Sequence, residues 1–521
     1  MNNAPAILRT LIIYAVIVPL ALFVGYLLSN PLDRSTFTYV GILAAILVFP
    51  LLLRWHHPLL IFSWNAGMYI FFLPGRPELW LTMTIASLGI TVLQRAMGGV
   101  KQLVSVPPVT WSLVCMIGVV VITARLTGMG LHAFGAEISG GRRYVVLLGS
   151  ILGYFALSSR PVPPERAKLY VGLFFLPGLM AFIGDLWWMI PSQLHFIYFF
   201  FPARDSLLSD DPLEKTARLV GGMMVATTIF AFMQARYGIR GIFLAGKSWR
   251  WMLLALAFGY GLLGGFRSGL FAIFLTFFIQ FLIEGLHRTK LLYIFAVLGV
   301  LGTVALVPLV PHLPHSAQRA LSFLPLNIDA RVKQDAEASS NWRFEMWKAL
   351  LPEVPQHLLL GKGYAISRRD IDSLTGTDAA IHTYAGFDQD QYYALSGTYH
   401  SGPFSVVLTF GIWGVITVIW FWGASIVVLY NNYRYGDPAV RTVNTFLLSV
   451  FVMKIILFIL VAGDIGSDML YFCGWLGFSI SLNGGVCQPA PAPARAAEKY
   501  QAFGGIRAHL QPTLRRPNIG G

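Results

Sequence analysis

The chain is poor in charge. Only 12% of its 521 residues are Asp, Glu, Lys or Arg, against roughly 25% in a soluble globular domain. That shortage argues against an ordinary soluble protein. Cysteine is scarce too: Cys115, Cys473 and Cys487 supply neither a disulfide framework nor a thiolate metal site. No Walker pattern is present, and Gly361-Lys362-Gly363 is too short to cradle a nucleotide's phosphates, so a tight turn is its expected role. No set of Asp, Glu, His and Cys has convincing metal-ligand spacing, and no cofactor is expected. The net charge of +14 would suggest nucleic acid in a soluble protein, but no nucleic-acid-binding motif accompanies it and no nucleic-acid partner is expected. Internal repeats are absent as well.

What the chain has is hydrophobicity. It is 56% hydrophobic, with mean hydropathy +0.65, and apolar runs near 20 residues recur along it. These runs predict an all-α fold, a polytopic membrane helix bundle. About fourteen spans are expected, at 8–29, 36–53, 58–73, 78–94, 107–126, 144–158, 168–190, 217–235, 250–266, 268–286, 291–311, 403–430, 443–462 and 468–484. The first is read as an uncleaved signal anchor. The pattern divides the chain into a membrane bundle over 1–311, a large polar loop over 312–402, three further spans over 403–484, and a Pro/Ala-rich tail over 485–521 that reads as disordered.

Lys and Arg concentrate in alternate loops, among them Arg54, Arg95, Arg160, Arg236, Arg288 and Arg434. The intervening loops are poorer in basic residues and carry Glu78, Glu137 and Asp210. Positive residues favour the cytoplasmic side. The asymmetry therefore places Arg267 and the 312–402 loop together on the extracytoplasmic side, and the C-terminus inside. A basic tail touching anionic membrane lipid is one reading of Arg507, Arg515 and Arg516; a solvated terminus is the plainer one.

The 312–402 loop is too long to be a simple connector. Asn341 predicts the cap of a short helix over 342–351, stopped by Pro352. Arg343 would then lie in the first turn. A cation is unfavourable there unless it and the free N–H groups face an anion.

Arg267 interrupts two apolar runs within Gly264-Gly265-Phe266-Arg267-Ser268-Gly269. A guanidinium there suits phosphate oxygens, with a snorkelling turn residue as the plain alternative. His400, just ahead of a span, has the titration range of a general base, or makes a structural hydrogen bond at a helix start. His382, beside Asp388 and Asp390, is a weak metal candidate. Asp185, Glu284, Lys454 and Asp464 lie in or at the edges of spans and could build an ion path, as in a transporter. Asp185, before Trp187 and Trp188, reads as interfacial, and Asp464 and Asp468 as solvated turn residues. No Gly-x-Ser-Gly elbow supports an intramembrane serine protease.

Arg343, Trp347, Gly361, Gly363, His400, Gly411 and Gly414, with Arg267 upstream, form an ordered pattern. It runs Arg, Trp four later, a Gly-x-Gly, then His eleven residues before Gly-x-x-Gly. This pattern resembles that of the O-antigen ligase/polymerase superfamily over 264–414. The family's usual His-Asn pair is His400-Ser401 here. The resemblance implies a GT-C-like, metal-independent, inverting glycosyltransferase in the bacterial inner membrane, with its site facing the periplasm. It would move a glycan from an undecaprenyl-diphosphate carrier to a lipid, glycan or protein acceptor. It makes Arg267 and Arg343 the diphosphate-binding residues, His400 the catalytic one, and Trp347, Gly361 and Gly363 supporting residues. Two other classes stay open: a flippase of lipid-linked sugars, and a non-catalytic component of polysaccharide assembly.

Overall fold

The computed structural model describes residues 34–73, 75–98, 106–129, 140–187, 189–203, 219–365 and 397–489, with isolated positions in 14–26 and at 104. The expected first span and the 485–521 tail fall largely or mostly outside these residues. So do His382, Asp388 and Asp390.

The described chain is helical. Sixteen α-helices follow in order: α1 Arg34–Ser63, α2 Leu79–Ala96, α3 Pro107–Thr127, α4 Gly141–Ser158, α5 Ala167–Phe175, α6 Ala181–Asp185, α7 Val220–Phe243, α8 Ser248–Leu262, α9 Arg267–Ile283, α10 Leu291–Leu309, α11 His315–Ala320, α12 Ala330–Leu350, α13 Val354–His357, α14 Gly402–Tyr435, α15 Arg441–Leu460 and α16 Ile465–Asn483. Seven helical stretches among the described residues are long and apolar enough to cross a membrane. They make this a multi-pass membrane protein.

Within the described residues, helices lie at the other expected spans too, but several are short or carry polar residues. The bundle interior explains this. α16 is buried along most of its length and packs chiefly on α4. A helix sheathed by other helices is not selected for apolarity against lipid; small residues that allow close approach serve it better. Trp64 shows the fit: a Cβ at Gly153 of α4 or Gly474 of α16 would come within 2.3 and 2.0 Å of its ring.

Three local expectations change. The runs 36–53 and 58–73 are not separate helices up to residue 63, because α1 passes through Arg54 without a break. The helix expected over 342–351 is longer. α12 begins at Ala330, capped by Asp329, whose carboxylate accepts the Arg331 N–H at 2.8 Å. Asn341 is therefore a mid-helix residue and Arg343 is far from the N-terminal amides, which removes the helix-dipole argument for an anion there. The C-terminal stop does fall at Pro352: α12 ends at Leu350 and a short 3-10 turn follows. Finally, the acidic residues near span ends are built into the bundle. Asp185 is buried and accepts the Gly221 amide at 2.9 Å, and Glu284 accepts the Ile239 amide at 3.1 Å. Asp468 is buried and pairs with Lys454 at 2.7 Å, while Asp464 caps α16 through the Ser467 amide.

Candidate active site

The site is assembled where α9, α12 and α14 begin or pass one another. Arg267 is the first residue of α9. Its guanidinium donates to the Ala336 carbonyl at 2.9 Å and to Ser340 Oγ at 3.3 Å. Ala336, Ser340 and Arg343 recur at helical spacing on one face of α12, so the bond that anchors Arg267 also brings Arg343 beside it. Burial, and then the positive charge of Arg267, lower the pKa of Arg343. Its buried Nε has no hydrogen-bond partner. Neither arginine forms an ion pair with a described residue.

α12 also holds His400. Trp347 donates its indole N–H to the Tyr399 carbonyl at 2.9 Å, and Trp342 meets the His400 ring edge-on, with centroids 5.5 Å apart. His400 has a φ of 46°, a left-handed backbone unusual for any residue but glycine. That conformation costs on the order of 1–3 kcal/mol and persists only where surrounding contacts hold it. Burial and then Arg343 lower its pKa, while Asp464 acts in the opposite direction. The imidazole is thus kept neutral near pH 7, the form that accepts a proton.

The glycines have a mechanical role. α14 breaks at Gly411 (φ 65°, ψ −159°), which frees backbone groups from the helical ladder. The Lys362 and Gly363 amides donate to the Leu408 and Thr409 carbonyls at 2.7 and 3.0 Å, and the Ile412 amide donates to Leu358 at 2.6 Å. Gly361 and Gly363 take φ of 71° and 69°, and a Cβ at Gly361 would lie 2.2 Å from the Thr409 carbonyl oxygen. The 357–363 segment is therefore plugged into the kink of α14. Lys362 is further held by Glu353 at 2.7 Å. The turn expected at 361–363 is also a lock between the Arg343 helix and the His400 helix.

Two residues that the sequence did not assign to this site stand at it. Asp464 acts on His400 through charge, and one of its buried oxygens lacks a hydrogen-bond partner. Arg143, near the start of α4, donates to Thr398 and lies 5.4 Å from the centre of the Tyr364 ring. The tandem Arg142-Arg143 at a helix start was a visible signal. Asp464 had none, since only folding brings it to His400.

A cavity of about 450 Å³ lies next to Arg267, with Ser268 and Gly269 in its wall. Phe230, Ile273, Phe446 and Leu457 give it an apolar interior, and Lys454 lines it as well. Among the described residues no group of three or more His, Cys, Asp or Glu is placed to hold a metal ion.

Fold and site together define a multi-pass membrane protein with two neighbouring arginines, a histidine beside them, and a largely apolar cavity that begins next to Arg267. Residues 252–419 match the family described as O-Antigen ligase. Over that stretch the chain is similar to that family. The matched stretch contains Arg267, Arg343, Trp347, His400 and the glycines of the lock. No match to a curated protein was found.

Proposed function

We propose that this enzyme transfers a glycan from an undecaprenyl-diphosphate carrier to an acceptor hydroxyl, as an O-antigen ligase or polysaccharide polymerase. The observation that carries this reading is the adjacency of Arg267 and Arg343, with no carboxylate partner for either among the described residues. Two neighbouring guanidiniums repel, and a diphosphate relieves that repulsion while using their planar donors in pairs. The apolar cavity beside them suits the hydrocarbon of a lipid carrier.

The reaction follows from those charges. The acceptor hydroxyl attacks the anomeric carbon, and its O–H proton passes to the neutral imidazole of His400. The bond between the anomeric carbon and the phosphate oxygen breaks, and the electron pair leaves with the lipid diphosphate. Arg267 and Arg343 stabilise the charge that gathers there. A single displacement inverts the anomeric configuration. The arginine pair meets the electrostatic demand, so transfer proceeds without a metal. Asp464 steadies the imidazolium that forms, and Arg143 is a further cation for the donor.

The sidedness read from Lys and Arg supports a periplasmic site in a bacterial inner membrane. Beyond the seven apolar stretches, α4, α7, α8, α9 and α16 are further crossings in this reading. The continuity of α1 removes one from the expected fourteen. It leaves the placement of Arg267 and the 312–402 loop on one side intact.

A reconstituted assay with a lipid-diphosphate glycan tests the proposal, read as loss of the carrier-bound form. Transfer by wild type that is lost in His400→Ala, with donor binding retained, is expected. Near-normal transfer by both His400→Ala and Arg343→Lys would sink the assignment and favour the flippase or scaffold readings.

A further inference from the structure

A second cavity, of about 290 Å³, lies between α5, α7 and the first turn of α15. It is at the opposite end of the bundle from His400. α9 measures the separation. Arg267 opens that helix at the candidate active site. Glu284, just past its last residue, binds the Ile239 amide on α7 next to this cavity. Seventeen helical residues span about 25 Å. α15 runs between the same two ends: Thr442 and Val443 line the small cavity, and Leu457 lines the large one.

The lining is cationic. Lys168 and Arg236 contribute to it, with Tyr237 and the Thr442 hydroxyl, and no acidic side chain does. Neither cation forms an ion pair with a described residue. The Tyr237 ring carries the Arg250 guanidinium at 3.8 Å from its centre and that of Arg236 at 5.8 Å, so further positive charge stands behind the wall. α15 continues a 3-10 turn over Pro438–Val440 whose start is capped by the Asp437 carboxylate, so the helix start itself adds little to the positive charge. The acidic groups of the flanking elements are engaged or turned outward. Asp437 binds the Ala439 amide, Glu284 binds Ile239 and Gln280, and Glu165 is exposed.

We propose that this cavity is a phosphate-binding site, remote from the transfer chemistry, whose ligand is the phosphate of an anionic phospholipid headgroup or a soluble phosphate. Two cations with no ion-pair partner among the described residues, together with the Thr442 and Tyr237 side chains, form the donor set an oxyanion requires. By the distribution of basic residues this end faces the cytoplasm, where a membrane surface is negatively charged.

The test uses the full chain in phosphatidylcholine nanodiscs. In one arm a minor fraction of phosphatidylglycerol is included, and its retention by the released protein is read by native mass spectrometry. In the other, inorganic phosphate is titrated against chloride at constant ionic strength, and thermal unfolding is followed. Retention of phosphatidylglycerol by wild type, falling about fivefold for each charge removed in Lys168→Gln and Arg236→Gln, supports the lipid source. Protection by inorganic phosphate with no preference for phosphatidylglycerol, again lost in those variants, supports the soluble source. Arg288→Gln, at the same end but outside the cavity wall, keeps wild-type behaviour in either case. Should a Gln variant fail to fold, Lys168→Arg with Arg236→Lys keeps the charge and must retain binding. Equal retention by wild type and the Gln variants, with no protection by phosphate, overturns the proposal.

Discussion

The indole of Trp347 donates to the carbonyl of Tyr399 at 2.9 Å, so a residue one helical turn beyond Arg343 fixes the backbone next to His400. The spacing of Arg343 and Trp347 thereby acquires a physical reason. One face of α12 presents Arg343 beside Arg267, and the next turn holds the strained His400 backbone in place. Trp347→Phe keeps an aromatic ring, though a smaller one, and removes the donor. It should lower the transfer rate roughly tenfold, in line with about 1.4 kcal/mol of lost positioning, and leave donor binding unchanged. A wild-type rate would assign Trp347 to packing alone.

The arginine pair calls for guanidinium geometry as well as charge. Arg267→Lys and Arg343→Lys should each weaken binding of a lipid-diphosphate donor at least tenfold, since an ammonium cannot make the paired planar bonds. Arg267→Lys should also loosen α12, because it loses the bond to the Ala336 carbonyl. Donor binding by equilibrium methods, together with thermal unfolding of the same samples, separates these effects. Unchanged binding in both variants would remove the diphosphate from this site.

His400→Ala should reduce transfer by about 10²–10⁴-fold, the usual worth of general-base help. The pH profile carries more information. Burial and Arg343 push the His400 pKa below its usual 6.5, so the active neutral form predominates at pH 7 and the rate should fall only as pH drops below that value. Arg343→Gln removes a cation that disfavours the protonated ring, so the acid limb should move up in pH. Asp464→Asn removes an anion that favours it, so the limb should move down. Shifts in the same direction, or none, would show that neither charge acts on His400.

The lock at Gly411 should be intolerant of any side chain. A Cβ there meets the Leu358 and Leu359 carbonyl oxygens at 2.7 Å, and φ is 65°. Gly411→Ala should destabilise the protein by about 1–3 kcal/mol and lower transfer through loss of the α12–α14 register. Gly423→Ala, in the same helix with open space around it, is the matched control. Equal melting temperatures for the two would refute the lock.

Sidedness can be read directly. Glu345 is exposed on α12, and Glu345→Cys in a background without Cys115, Cys473 and Cys487 should react with an impermeant thiol reagent in intact spheroplasts. Labelling only after permeabilisation would reverse the orientation.

Much of this protein was settled by sequence alone. Runs of about 20 apolar residues leave the chain no folded state in water, and a backbone in lipid must bond within itself, so helices across a membrane follow directly. The order of Arg343, Trp347, Gly361, Gly363, His400 and Gly411 was equally legible, because short-range motifs survive as spacing. What sequence could not settle depended on contacts between distant segments. Asn341 has the chemistry of a cap, yet Asp329 caps a longer helix that is tied to α11 by the Arg319–Asp335 ion pair and to α9 by Arg267. Asp468 reads as a solvated turn residue until Lys454 is found 2.7 Å away. Asp464 is 64 residues from His400 in the chain, and Arg143 reaches the site only because α4 packs within the bundle. Local propensity acts over a few residues, whereas burial and charge act through space. The tertiary structure therefore decided which cations stand together, and which histidine stays neutral between them.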